Sequence, residues 1–357
     1  MQKYQLSVSE MLVMDTKVLK IVHVNDVASV GSNLVSGLCK IGINAKLYRL
    51  LNLGGKKYPK FLQLGISAIL RVSEIFRFKQ YIKKEEVNII HIHYGTHAYL
   101  PLLFRVPFFL HIHGSDVRLH IHWPILGKII RTGIEKAETV FYSTPDLKPL
   151  VEAIRPDAIF FPNPIDTEHF IPRVSNDPQN DPVIFNINKM DRFKGIEEIL
   201  RSIELIWERY PKTTVKMFNF GNAMKDAQGF LKRHEGDSRL ILLPPVPHEE
   251  MISLIQGSTL IIGQLETRAL TVSELEAMAC CKPVICCVRH SADYPTPPPI
   301  LNATTAEDIR DFANSLLKNP NQGTKLGMEA RNWVVENLDT RVVAKKLMDV
   351  YYTHSTK

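Results

Sequence analysis

The chain alternates short apolar runs with stretches of helical periodicity, and it does so twice. Val18–Val24 is apolar, Asn25-Asp26 is a polar turn, Val30–Leu38 has helical spacing up to a break at Gly42, and Ala45–Leu50 is apolar again. Further apolar runs follow at Val87–His93, Pro107–His113, Thr139–Ser143 and Ala158–Phe161, with a helical, Arg- and Lys-rich segment at 62–86. Residues 171–182 are polar and contain three prolines, which marks a linker. Beyond it the pattern restarts. Strands are expected at Val183–Ile187, Val215–Phe220, Leu240–Leu243, Leu260–Ile262 and Val284–Val288, and helices at 196–210, 248–256, 272–279, 307–318 and 324–352. Runs that are continuously apolar, not alternating, belong to strands covered on both faces, so parallel sheets flanked by helices are expected. The fold class is α/β, with two domains in tandem.

Length agrees, since 357 residues exceed a comfortable single core. The five cysteines, at 39, 280, 281, 286 and 287, have neither disulfide-framework nor CxxC spacing, so a reducing, cytoplasmic setting is expected. Residues 1–17 read as an N-terminal extension, and no stretch approaches eighteen clean apolar residues. The net charge of +7 lies entirely in the first half: residues 1–170 carry 21 cationic against 14 acidic side chains, and residues 171–357 carry 23 of each. A basic half can attract a lipid phosphate or an anionic membrane surface. No nucleic-acid-binding motif accompanies it, so no nucleic acid is expected as a partner.

The first strand-to-helix turn, Asn25 to Ser32, lacks GxGxxG, and GxxxxGK[ST] is absent from the chain. Neither a dinucleotide fingerprint nor a P-loop is present. Asp26 and Ser32 remain candidates for lining a cleft. His111-Ile-His-Gly-Ser-Asp116 ends one apolar run, and His91 and His93 end the previous one. Ligands of parallel sheets bind beyond the carboxyl ends of strands, where these histidines gather. Two His-x-His pairs also invite a zinc reading, but no convincing carboxylate or cysteine ligand accompanies them, and the expectation is no metal. Asp116 could orient a histidine. Lys189-Met-Asp-Arg-Phe-Lys-Gly195 lies between a strand and a helix, where Lys189, Arg192 and Lys194 would face the amide-rich helix start and suit a diphosphate. In Glu266-Thr-Arg-Ala-Leu-Thr-Val-Ser-Glu-Leu-Glu-Ala-Met-Ala-Cys-Cys-Lys-Pro283, acidic side chains surround another helix start at Thr271. Glu274 and Glu276 are two apart and cannot share a helix face, so one is expected to point to a ligand and the other away.

The order and spacing of His113-Gly-Ser-Asp116, Asn163-Pro-Ile-Asp166 with Phe170, Lys189 to Gly195, and Glu274 to Ile285 resemble the retaining GT-B glycosyltransferases usually numbered family four. The resemblance covers about residues 18–350. It implies a GT-B fold of two Rossmann-like domains with parallel sheets facing a cleft. By that resemblance 18–170 is an acceptor domain, 171–182 a linker, 183–330 a nucleotide-sugar domain, and 331–357 a helix crossing back to the first. It implies that Lys194 and Gly195 hold a diphosphate, with Lys189 where the family usually has arginine. Glu276 matches the second glutamate of an E-x7-E motif, which binds ribose, and His113 the histidine beside the donor sugar. Asn163 and Asp116 fall near the acceptor side. The implied activity is metal-independent transfer of a sugar from a nucleoside-diphosphate sugar to a hydroxyl acceptor, a glycan or a lipid-linked molecule, with no cofactor. The leaving diphosphate is stabilised by Lys189 and Lys194. The alternative is a non-catalytic relative that binds a nucleotide sugar or a partner.

Three departures qualify the resemblance. The first glutamate of the motif is Arg268, with Glu266 two residues earlier; the glycine after Ala-Cys is Cys281; and the helix-opening glycine is Thr271. Arg268 could pair with an anionic donor sugar, could join the diphosphate clamp while Glu266 takes the sugar, or could mark an impaired site. Segments 66–84 and 117–131 mix large apolar with cationic residues. Such surfaces suit a lipid-linked acceptor and peripheral placement on the inner face of the cell membrane, unless their apolar residues face the core.

Overall fold

A computed structural model describes residues 19–51, 60–173, 181–289, 291–294 and 296–355. The expected extension 1–17 and most of the expected linker 171–182 lie outside these residues. The chain forms two compact units: the first runs to Pro164 and takes in the chain again from Thr340, and the second spans Ile165–Asp339.

In the first unit β1 (Lys20–Val24), α1 (Val30–Lys40), β2 (Asn44–Tyr48), α2 (Lys60–Glu85), β3 (Ile89–His93), α3 (Tyr99–Phe104), β4 (Phe109–Ile112), α4 (Ser115–Arg118), α5 (Pro124–Lys136), β5 (Thr139–Tyr142), α6 (Lys148–Glu152) and β6 (Ile159–Phe160) follow in order. The strands form one parallel sheet, in the order β2-β1-β3-β4-β5-β6. One face packs Val22, Val24, Ile90, Ile92, Leu110 and Ile112 into an apolar core. Strand order reverses between β1 and β3, so the loops after these strands border the crevice where such sheets bind ligands.

In the second unit β7 (Val183–Asn186), α7 (Ile196–Arg209), β8 (Thr214–Phe218), α8 (Met224–Arg233), β9 (Leu240–Leu243), α9 (His248–Gln256), β10 (Leu260–Ile262), α10 (Val272–Ala279), β11 (Val284–Cys286), β12 (Leu301–Asn302), α11 (Ala306–Lys318) and α12 (Pro320–Leu338) build a second parallel sheet, ordered β12-β11-β10-β7-β8-β9. Ile184, Ile199, Ile203, Val215, Leu260 and Ile285 lie in its core. Here the order reverses between β7 and β10, whose following loops carry Lys189 to Gly195 and Glu266 to Thr271.

The helix expected over 324–352 is two helices. Asp339 takes an extended ψ of 142° and separates α12 from α13 (Thr340–Ser355), which packs on α1 in the first unit. The strand β12 and the helices α3, α4, α5, α6 and α8 were not anticipated. Among the described residues no helix is long and apolar enough to cross a membrane.

Candidate functional site

The second unit holds a cluster built by two loops at its switch point. The loop after β7 ends in a 3₁₀ turn, Arg192–Lys194, and Gly195 then starts α7 with φ of 72°. A side chain at Gly195 would be strained at that φ, and its Cβ would come 2.8 Å from Leu265 Cβ. The two loops are tied: Leu265 N–H donates to the Lys194 carbonyl at 3.1 Å, and Thr267 Oγ1 to the Phe193 carbonyl at 3.0 Å. Lys189 pairs with Asp191 at 2.8 Å. Arg192 uses its fork on Asp226, at 2.7 and 3.1 Å, and so turns toward α8.

Arg268 stands in the left-handed region with φ of 58°. For a residue with a Cβ this costs about 1–2 kcal/mol. Gln264 holds it there. Its buried amide donates to the Ala269 and Cys287 carbonyls at 2.7 and 2.8 Å, and its Oε1 accepts from Arg268 N–H at 2.9 Å. Sequence reasoning missed Gln264, although a polar residue just past the apolar strand Leu260–Ile262 is a visible signal. Arg289 was missed as well. Burial pushes the Cys287 thiol up, and Arg268 and Arg289 both act against it, with Glu266 reinforcing it, so these charges gather around one thiol. Cations therefore collect where amide-rich loops meet, a setting suited to an anionic ligand.

The two glutamates of α10 have different partners. Both are buried. Glu274 closes a capping box. One oxygen accepts from Thr271 N–H at 2.9 Å and from the Thr271 hydroxyl, and the other accepts from Gln264 N–H at 2.9 Å. Both of its oxygens, and the Thr271 hydroxyl, are thus occupied by the start of the helix. Glu276 has a different partner. His248, at the start of α9, lies with Nε2 2.7 Å from its Oε1. Burial raises the Glu276 pKa, and the His248 contact opposes that shift. His248 had no sequence signal, because 28 residues separate the two.

Cys281 has φ of 57°. The turn keeps the geometry a glycine would favour and accepts the strain. Cys281→Gly is expected to raise stability by about 0.5–1 kcal/mol, read as a higher urea midpoint with unchanged slope.

In the first unit, Asp26 Oδ1 accepts from Ser32 N–H at 3.2 Å, and the Ser32 hydroxyl donates to the Ser29 carbonyl at 3.0 Å. The start of α1 is therefore faced by the chain's own carboxylate, not left for an outside anion. Asp116 is buried and orients no imidazole. Its carboxylate accepts from the backbone N–H groups of Gly95, His113, Gly114 and Val117, between 2.7 and 3.1 Å, and so shapes the loop that carries His113. His113 Nε2 lies 3.0 Å from His93 Nδ1. Burial holds its pKa well below the usual imidazole range, so the ring is neutral near pH 7. Asn163 is buried beside the end of the unit.

Residues 167–333 match the family profile described as glycosyl transferases group 1. No curated protein sequence matches the chain. Solved structures share its fold at low identity. Sucrose-phosphate synthase from Thermosynechococcus elongatus superposes with a TM-score of 0.71 at 15% identity, over 94% of this chain and 98% of that one. HepE from Anabaena, in complex with UDP and glucose, gives 0.67 at 13%, over 94% and 99%. The catalytic domain of starch synthase IV from Arabidopsis thaliana, bound to ADP and acarbose, gives 0.71 at 11%, over 95% and 100%. The chain has the two Rossmann-like domains of a GT-B fold, and most of its second unit matches the group 1 glycosyl transferases.

Proposed function

We propose that this chain is a retaining glycosyltransferase that moves a sugar from a nucleoside-diphosphate sugar to a hydroxyl acceptor. The observation that carries this reading is the joined pair of loops in the second unit, with Lys189, Lys194 and Arg268 at the switch point of a parallel sheet. Two of the similar structures hold UDP with glucose, and ADP with acarbose, which supports a nucleotide diphosphate as the anion.

Breaking a sugar–phosphate bond builds negative charge on the departing diphosphate. Cations fixed in advance by backbone contacts stabilise that charge more than the ground state. Lys194 supplies one such charge, Lys189 a second, and Arg268 a third. Glu276 takes the ribose hydroxyls, with His248 favouring its ionised form against burial. Neutral His113 orients the donor sugar as a hydrogen-bond partner. The leaving diphosphate accepts the acceptor's proton, so no carboxylate nucleophile is assigned and no step of the transfer is given to a divalent ion.

The acceptor is lipid-linked on this reading. Val72 and Phe76 on α2 are exposed, as are Leu119, Trp123 and Ile125 before and within α5. Lys79, Lys83 and Lys84 lie on α2, and Lys128 and Arg131 on α5. Part of each segment thus presents apolar and cationic groups outward, which suits an anionic lipid surface.

Thermal melting against a panel of nucleoside-diphosphate sugars tests the donor site. A nucleotide sugar should raise the melting temperature of the wild type, and Arg268→Glu should abolish or reverse the rise by placing negative charge beside the diphosphate. No stabilisation of the wild type by any nucleotide or nucleotide sugar would sink the transferase reading. Stabilisation without turnover on any acceptor would identify a binding protein instead.

A further inference from the structure

Five histidines stand together on one face of the first unit's sheet. His23 lies on β1, His91 and His93 on β3, His111 on β4, and His113 just beyond it. In register, His23 is beside His91 and His93 beside His111. The opposite face of these strands is aliphatic, as a covered parallel sheet demands. His23, His91, His93 and His111 are fully buried, and His113 is partly exposed.

Some of the ring nitrogens satisfy one another. His23 Nδ1 lies 2.9 Å from His93 Nε2, His93 Nδ1 lies 3.0 Å from His113 Nε2, and His91 Nδ1 lies 2.7 Å from the Tyr351 hydroxyl on α13. Others are left over. Among the described residues, neither nitrogen of His111, nor Nε2 of His91, reaches a partner within hydrogen-bond geometry. The Phe161 backbone lies beside His111 and favours its charged form, against burial. Unmet buried polar groups of this kind cost about 1–3 kcal/mol each. A sheet core that tolerates them on fully buried rings points to something those nitrogens bind.

We propose that His93, His111 and His113 form a binding site for a divalent first-row transition ion of the zinc class. One nitrogen from each lies within 4.8 Å of the others. His93 Nδ1 and His113 Nε2 already face each other at 3.0 Å. Two nitrogens on a tetrahedral ion, each about 2.0–2.1 Å from it, stand roughly 3.3 Å apart. The ion therefore fits between these two rings with little movement, once the proton between them shifts to a far nitrogen. His111 closes the set by drawing in from within 4.8 Å toward that spacing. His23 then receives the outer N–H of His93, the second contact that fixes the orientation of a metal-bound imidazole.

The ligand chemistry selects the ion. Burial holds all three rings neutral, with lone pairs available near pH 7. The neighbouring carboxylate, Asp116, is spent on four backbone amides. An all-imidazole set favours zinc, copper or nickel over magnesium or calcium. His23, His91 and His93 form a second possible triad, but it shares His93 and is wholly buried. The triad containing His113 has a partly exposed member, through which an ion can enter. This proposal does not depend on the transferase reading.

The test uses the full chain, expressed without a histidine tag and treated with chelator. Titration with Co(II) should saturate near one equivalent, with the visible absorption of four-coordinate cobalt, and Zn(II) should displace it. Mg(II) should do neither. His111→Asn should weaken Co(II) binding at least tenfold, whereas the exposed His122→Asn should not. His113→Gln, at the partly exposed ligand, gives the same reading if His111→Asn does not fold, and metal-free melting curves separate folding from binding. Absence of stoichiometric Co(II) binding, or binding unchanged in the folded ligand variants, overturns the proposal.

Discussion

Taking the metal-free protein from pH 7.5 to pH 5.5 should lower its stability by about 4 kcal/mol or more. Burial, with His111 nearby, lowers the pKa of His23 to about 3. Burial lowers His111 to about 3. Burial, with Arg71 nearby, lowers His97 to about 4. In the folded protein these rings stay neutral throughout this window. In the unfolded chain each takes up a proton below its ordinary value of about 6.5. The unfolded state therefore binds more protons, so stability falls as pH falls. The loss starts near pH 6.5 and ends only near the folded values. Over these two pH units each ring contributes about 1.4 kcal/mol, and His91, His93 and His113, shifted the same way, add to the total. Domains are stable by only about 5–15 kcal/mol, so the first unit should approach unfolding near pH 5.5. Urea titrations at the two pH values, in chelator, measure the effect. A flat profile would mean that the rings are hydrated or charged in the native state.

Lys194→Ala should lower kcat about 100- to 1000-fold, the range seen when one fixed donor to a developing charge is removed. Its backbone carbonyl ties the loop to Leu265 and survives the substitution, and melting curves separate any loss of folding from loss of turnover. Lys189→Ala should cost less, because Lys189 is already drawn to Asp191. Lys194→Arg should recover part of the loss by restoring charge. Turnover is measured with whichever donor the melting panel selects. If Lys194→Ala changes KM but leaves kcat intact, the lysine binds the donor without acting on the transition state, and the proposed role fails.

The strands were legible because parallel sheets need continuous apolar runs. Leu240–Leu243 and Leu260–Ile262 fall where the periodicity puts them, as do the helices Val272–Ala279 and His248–Gln256. The short β12 was missed because two residues, Leu301–Asn302, hold no periodicity. The break at Asp339 was missed because the residues on either side have equally good helical spacing. The cations of Lys189 to Gly195 were legible as a loop between strand and helix. That Arg192 would turn away to Asp226 was not, because the partner lies 34 residues along the chain.

By itself, the sequence determined the alternation that makes two α/β units, and the turns that place Lys194, Arg268 and Glu276 after strands or at a helix start. These follow from local periodicity and from the few residue types that turns accept. Only the tertiary structure decided which side chains those positions leave available. Glu274 is consumed by its own helix cap, Glu276 meets His248, and Gln264 holds Arg268 in a left-handed turn. It also decided that four histidines from three strands, with His113 just beyond, share one face. Strand register is a relation between distant segments, and spacing along one strand cannot encode it.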